Sequence, residues 1–171
     1  MKSPIRRFRL SIFYNQFYLE PEHPDPDAEY WDEKEESGQG FSAYPKQAAI
    51  GTPSETGICE VETELASEMP DVESSIQAVC FPIAVDDPGR LFWRTVFGGK
   101  EEAEYFFDIP PGNYDVFVRF SPLEGEEANE VGLRGWHVII SFLPQGVAKA
   151  GTFKLEYGEV PADFILHTSV E

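Results

Sequence analysis

The sequence predicts a mostly β protein, an antiparallel β-sandwich of about eight strands with one short helix. Apolar and polar residues alternate with a period of two in one short run after another. Those runs are punctuated by turn formers, with 14 Gly and 14 Pro in 171 residues. At roughly 100–200 residues per domain, residues 1–171 are read as a single domain large enough to bury a core. The core is expected to be aromatic, because the chain carries 14 Phe, 7 Tyr and 3 Trp. That content excludes disorder despite a formal charge of −18, from 31 Asp plus Glu against 13 Lys plus Arg.

Phe8, Leu10, Ile12 and Tyr14 alternate with Arg9, Ser11 and Phe13 and predict the first strand. Ile76 to Val85 is an apolar run interrupted by Pro82 and closed by Asp86-Asp87-Pro88-Gly89. Leu91 to Phe97 reads as an aromatic strand ending at Gly98-Gly99, and Glu104 to Ile109 as a strand running into the turn Pro110-Pro111-Gly112-Asn113. Tyr114, Val116, Val118 and Phe120 share one face of the next strand, and Trp136, Val138, Ile140 and Phe142 one face of another. Phe153 to Tyr157 and Phe164 to Val170 are expected to close the sheets. The short helix is placed over Ala28 to Ser37, with Asp27 as N-cap and Gly38-Gln39-Gly40 as its stop. Leu65 to Ser75 reads as a turn of helix or a loop.

Composition also bounds function. A strongly negative chain repels phosphate, so direct nucleic-acid binding and attachment to an anionic membrane are not expected. No stretch approaches the roughly 20 apolar residues of a membrane span, and Met1 to Leu10 has no signal-type apolar core. Cys59 and Cys80 fit no metal spacing or disulfide framework and read as small buried hydrophobes of a reducing compartment, which places the chain in the cytoplasm.

Catalytic signatures are missing. His23, His137 and His167 never stand at i,i+4, and no serine lies in a nucleophile elbow. Gly98-Gly99-Lys100 lacks the upstream glycine of a phosphate loop and has Glu101 where the magnesium-holding hydroxyl belongs. The chain is therefore read as a non-enzyme without a cofactor. The alternative is a β-sandwich ligand- or calcium-binding module that takes a metal or a small molecule at the Asp25–Asp27 or Asp86-Asp87 loops, although neither has EF-hand spacing.

The acid is unevenly placed. Nine carboxylates lie between Glu20 and Glu36 against one lysine, Lys34, with Tyr30 and Trp31 embedded among them. A second cluster runs Glu60, Glu62, Glu64, Glu68, Asp71 and Glu73, and a third Glu124, Glu126, Glu127 and Glu130, with no cation nearby in sequence. Two readings stand open: solvated loops, or a surface built to meet a basic groove with an aromatic anchor at its centre.

Four segments bear on that choice. Leu10-Ser11-Ile12-Phe13-Tyr14-Asn15-Gln16-Phe17 is similar to the opening strand of the competence protein ComJ family. Trp31-Asp32-Glu33 followed by Gly40-Phe41, Pro82-Ile83-Ala84-Val85, and Phe107-Asp108-Ile109-Pro110-Pro111-Gly112-Asn113-Tyr114 resemble later segments of that family, in the same order. Within these motifs Tyr14 and Phe107 are expected in the core. The resemblance implies an inhibitor that blocks a nuclease, competence nuclease or toxin, through its basic surface. The expected partner-binding residues are Asp25, Asp27, Glu29, Tyr30, Trp31, Asp32, Glu33, Glu35 and Glu36, with Tyr30 or Trp31 as anchor.

Overall fold

Alternation of burial along the chain builds two sheets packed face to face. The computed structural model describes residues 2–12, 14–32, 36–54, 57–96, 106–123, 134–155 and 159–167. Among these, sheet A runs in the order β1 (Lys2–Ile12), β5 (Gly57–Ala66), β10 (Arg134–Pro144), β9 (Gly112–Pro122), β6 (Gln77–Val85) and β11 (Gly151–Lys154). Sheet B runs β3 (Phe41–Tyr44), β4 (Gln47–Gly51), β2 (Gln16–Pro21), β7 (Arg90–Thr95) and β8 (Phe106–Asp108). Every pairing is antiparallel except that of β5 with β10.

The inward rows are those the period of two marks. Phe8, Leu10 and Ile12 of β1, Val116, Val118 and Phe120 of β9, and Trp136, Val138, Ile140 and Phe142 of β10 face Phe17, Leu19, Phe41, Ile50, Leu91, Trp93 and Phe107 of sheet B in one cluster. A fully buried side chain of this size contributes about 1.5–3 kcal/mol, so this layer dominates stability. Trp93 stacks on Phe107 at 5.2 Å, Phe17 meets Trp93 edge-on at 5.8 Å, and the Trp93 indole N–H donates to Thr63 Oγ1 at 3.2 Å. The buried polar atom of the largest core ring is thereby satisfied.

Sheet A has a second, smaller core on its outer face. Ala66, Ala78, Cys80, Phe117, Leu143 and Ala148 cluster there with Val72 and Phe153. Asp115 Oδ2 accepts the amides of Gly146 and Ala148 and holds the loop that contributes Ala148. Both cysteines are free and buried, and burial pushes their thiols up to about 12. They behave as small hydrophobes.

Several sequence expectations shift. Strands number eleven among the described residues rather than about eight. The helix is one turn, α1 (Glu36–Gln39), not Ala28 to Ser37. Residues 28–32 take turn and irregular backbone, with Trp31 at φ 63°, because their hydrogen bonds go to sheet B instead of along a helix. Glu60, Glu62 and Glu64 lie on strand β5, whose other face buries Cys59, Val61 and Thr63. Pro82 does not break β6; it sits beyond the last β11 pairing at Cys80, where β6 has β9 on one side only. A missing N–H costs no ladder bond on such an edge. Phe107 is in the core, but Tyr14 is 61% exposed in the β1–β2 turn. Residues 164–167 are irregular rather than a strand, and 168–170 lie outside the described residues, as do Gly98-Gly99 and the third acidic cluster.

Gly89 closes the turn after β6, with φ 87°, and its carbonyl accepts the Ile109 amide at 2.8 Å. A methyl group there would run into the Ile109 carbonyl oxygen, whereas one at Gly146, φ 93°, meets nothing. Gly89→Ala should therefore cost at least about 3 kcal/mol and Gly146→Ala about 1 kcal/mol in urea unfolding. Equal costs would contradict the packing assigned to this turn.

Candidate partner-binding site

Sheet B also has an outer face, and the acidic segment covers part of it. Because Phe17 and Leu19 point inward, Gln16, Tyr18 and Glu20 of β2 point outward, as do Ser42 and Tyr44 of β3 and Gln47 and Ala49 of β4. Ser42 and Ala49 are nevertheless fully buried. Residues 22–32 cross this face as a strap.

The strap is fastened by its own backbone and rings. Gln47 accepts the Asp25 amide through Oε1 at 2.7 Å, and its Nε2 donates to the Asp25 carbonyl at 3.2 Å and the Tyr30 hydroxyl at 2.9 Å. Tyr44 Oη accepts the Glu29 amide at 3.0 Å and donates to the Glu29 carbonyl at 2.9 Å. The Tyr30 ring stacks on Tyr18 at 5.3 Å and meets Tyr44 edge-on at 5.8 Å. Trp31 donates its indole N–H to Gln16 Oε1 at 2.6 Å and its amide to Ser42 Oγ at 3.2 Å. These bonds hold Trp31 in a left-handed conformation that costs a residue with a Cβ roughly 1–2 kcal/mol.

Beneath the strap lies a buried charge. Glu20 Oε1 pairs with Arg94 at 2.7 Å and accepts the Tyr30 hydroxyl at 3.2 Å, while the Arg94 guanidinium also lies over the Tyr18 ring at 5.3 Å. Burial, with the Glu20 carboxylate beside it, pushes the Tyr30 hydroxyl far above the usual phenol range, so it stays a donor. Arg94 is distant in sequence but next to Tyr18 in register. No cation lies near Glu20 in sequence; the pairing of β2 with β7 supplies one.

Of the nine expected partner-binding residues, Asp25, Asp27, Glu29 and Asp32 are exposed on the strap. Among the described residues, none of these four takes part in an ion pair. Tyr30 and Trp31 are half-buried and committed to the chain's own sheet. Glu33, Glu35 and the side chain of Glu36 lie outside the described residues. Tyr18, Tyr44 and Gln47, which position the strap, were not singled out by sequence; outward aromatic and amide residues on adjacent strands were the available signal.

The second acidic cluster is organised differently. Glu62 pairs with Arg7 at 3.4 Å and lies 3.5 Å from His137 Nε2, and buried Glu64 accepts the Ser141 hydroxyl at 2.6 Å beside Arg119 at 3.7 Å. At the loops of the calcium alternative two carboxylates are already engaged. Asp86 pairs with Lys46 at 2.7 Å, Asp25 Oδ1 accepts the Asp27 amide at 3.0 Å, and no group of three metal-ligating side chains occurs among the described residues.

Gln47→Ala removes three of the strap's bonds at once. Amide exchange at Asp25 and Glu29 should accelerate about 10- to 100-fold, with a global loss of only about 1–2 kcal/mol. Unchanged exchange would show that the strap is held by other contacts.

This fold has known counterparts. The crystal structure of ComJ from Bacillus subtilis, described as an inhibitor of the DNA-degrading activity of NucA, superposes with a TM-score of 0.64 at 20% identity, covering 84% of this chain and 98% of that one. The structure titled crocagin biosynthetic gene J superposes with a TM-score of 0.55 at 15% identity, covering 85% of this chain and 99% of that one. At these identities the likeness is one of fold. No curated protein sequence matches the chain significantly. The family model of competence protein J (ComJ) matches residues 9–143, from β1 through the strap and into β10. The chain therefore belongs to the ComJ family.

Proposed function

We propose that this protein inhibits a DNA-degrading nuclease by laying the acidic strap across the enzyme's phosphate-binding groove. Family membership and the described role of the Bacillus subtilis relative support the class of function. The observation that carries the site is the strap's polarity: its tyrosine ring turns inward onto sheet B, and Asp25, Asp27, Glu29 and Asp32 remain exposed, in no ion pair among the described residues. In sequence, Glu33, Glu35 and Glu36 continue the acidic run.

A nuclease groove carries Lys and Arg to neutralise phosphates. Carboxylates on a strap fixed by backbone hydrogen bonds occupy those cations without the ordering cost of a loose tail. Opposite charges also steer the encounter, raising association toward about 10⁸–10⁹ M⁻¹s⁻¹ at low salt. In this reading the chain turns over no substrate and needs no cofactor, does not touch nucleic acid itself, and works in the cytoplasm, where two free buried thiols persist.

Charge reversal tests the reading. Asp27→Lys, Glu29→Lys and Asp32→Lys are combined, with Asp25 spared because it accepts a backbone amide. Against NucA and a panel of purified DNA-degrading nucleases, the variant should bind the nuclease that the wild-type chain inhibits at least about 100-fold more weakly, about 3 kcal/mol. Its melt should stay within about 3 °C of wild type. Full inhibition by the triple variant would remove the strap from the interface.

A further inference from the structure

Sheet A ends at β11 and sheet B at β3, and residues 164–167 bridge the two edges. The Phe164 ring lies over Gly151 of β11, where a Cβ would touch it. Gln39, the last residue of α1, is buried and grips the backbone of Ile165. Its Oε1 accepts the Ile165 amide at 2.8 Å, and its Nε2 donates to the Ile165 carbonyl at 3.0 Å. Leu166 packs against the main core. The His167 amide donates to the Ala43 carbonyl of β3 at 3.0 Å, and its imidazole lies flat on the Tyr44 ring, with centroids 4.2 Å apart and planes 7° apart.

Part of this arrangement protects the edge. A terminal strand presents unpaired backbone groups, and covering it with a neighbouring segment blocks strand addition. The bonds of Gln39 and of the His167 amide, with the burial of Leu166, serve that use. The imidazole stack goes further, because Tyr44 is also the residue on which the strap is fastened. The Tyr44 hydroxyl holds both backbone groups of Glu29, and its ring meets Tyr30 at 5.8 Å. A tyrosine side chain that holds two backbone groups loses rotamer freedom in doing so, and a ring stacked on it beforehand lowers that cost. His167 and Glu29 thus engage one side chain from two separate segments, and whatever orders Tyr44 also favours the docked strap.

We propose that residues 164–167 are a latch for the strap, with His167 as a positioning residue that fixes Tyr44 and so sets the order of the acidic surface. The consequence for nuclease binding rests on the inhibitor reading above; the coupling between the two segments does not.

The test compares His167→Ala with His167→Phe, which keeps a stacking ring. Amide exchange is followed by NMR at Glu29 on the strap and at Glu73, whose amide is held by Asp71 Oδ1 in the loop over sheet A. In His167→Ala the Glu29 amide should exchange about 3- to 10-fold faster, the range that one aromatic stack supplies, while Glu73 keeps its rate. His167→Phe should exchange at both sites as the wild type does. Wild-type exchange at Glu29 in His167→Ala would overturn the latch. So would a Phe variant that behaves like the Ala variant, or equal acceleration at Glu73. Binding is then measured in the Gln47→Ala background, where the strap is already loosened and affinity follows the fraction of chains with the strap docked. There His167→Ala should weaken binding of the inhibited nuclease about 3-fold or more. Faster Glu29 exchange with unchanged binding would support the latch and count against the strap as the inhibitory surface.

Discussion

The contact on which the proposed function depends is the stack of Tyr30 between Tyr18 and Tyr44, tied by Gln47 to the backbone of Asp25. It sorts the strap's side chains. Rings and backbone amides turn toward sheet B, and the carboxylates turn to water. Without it, so dense a run of like charges would extend as a loose, self-repelling loop and would lose its order as an entropy cost on binding. With it, the same residues form a charged surface of fixed geometry. Glu20 and Arg94 complete the support, since the buried carboxylate holds the Tyr30 hydroxyl and is itself held by a guanidinium.

The two outer faces of the sandwich use acid in different ways. On sheet A, Glu62 and Glu64 sit next to Arg7, His137 and Arg119, and a second apolar cluster closes the neighbouring surface. These charges are answered within the chain, and the solvent-exposed Arg7–Glu62 pair contributes about 0–1 kcal/mol. On sheet B the strap's exposed carboxylates are not answered by ion pairs among the described residues. The net charge of −18 therefore concentrates its effect where the chain has least internal use for it.

Strands β1, β9 and β10 were legible because their apolar rows alternate without interruption over many residues. Strand β5 was not, because Glu60, Glu62 and Glu64 on one face look like a solvated loop until Cys59, Val61 and Thr63 are seen buried on the other. The helix expected over Ala28 to Ser37 failed for a tertiary reason. Glu29 and Trp31 give their amides to Tyr44 and Ser42, residues that local propensity does not weigh. The acidic half of the candidate site was visible as a charge run, and the resemblance in the first strand and the later segments pointed to its class. The inward half, Tyr18, Tyr44 and Gln47, depends on strands β2 to β4, whose short runs carry too few residues to show a period. Tyr14 reads as core by alternation, yet it sits two residues past the end of β1, in a turn where its ring is exposed.

Carboxyl footprinting of the complex tests the central claim most directly. The chain is labelled with a carbodiimide and glycine ethyl ester, free and bound to the nuclease it inhibits, and each site is read by mass spectrometry. Labelling of Asp25, Asp27, Glu29 and Asp32 should fall several-fold on binding while that of Glu73 on the opposite sheet's loop stays constant. Protection confined to Glu60, Glu62 and Glu73, with the strap labelled as in the free chain, would place the interface on sheet A and contradict the account.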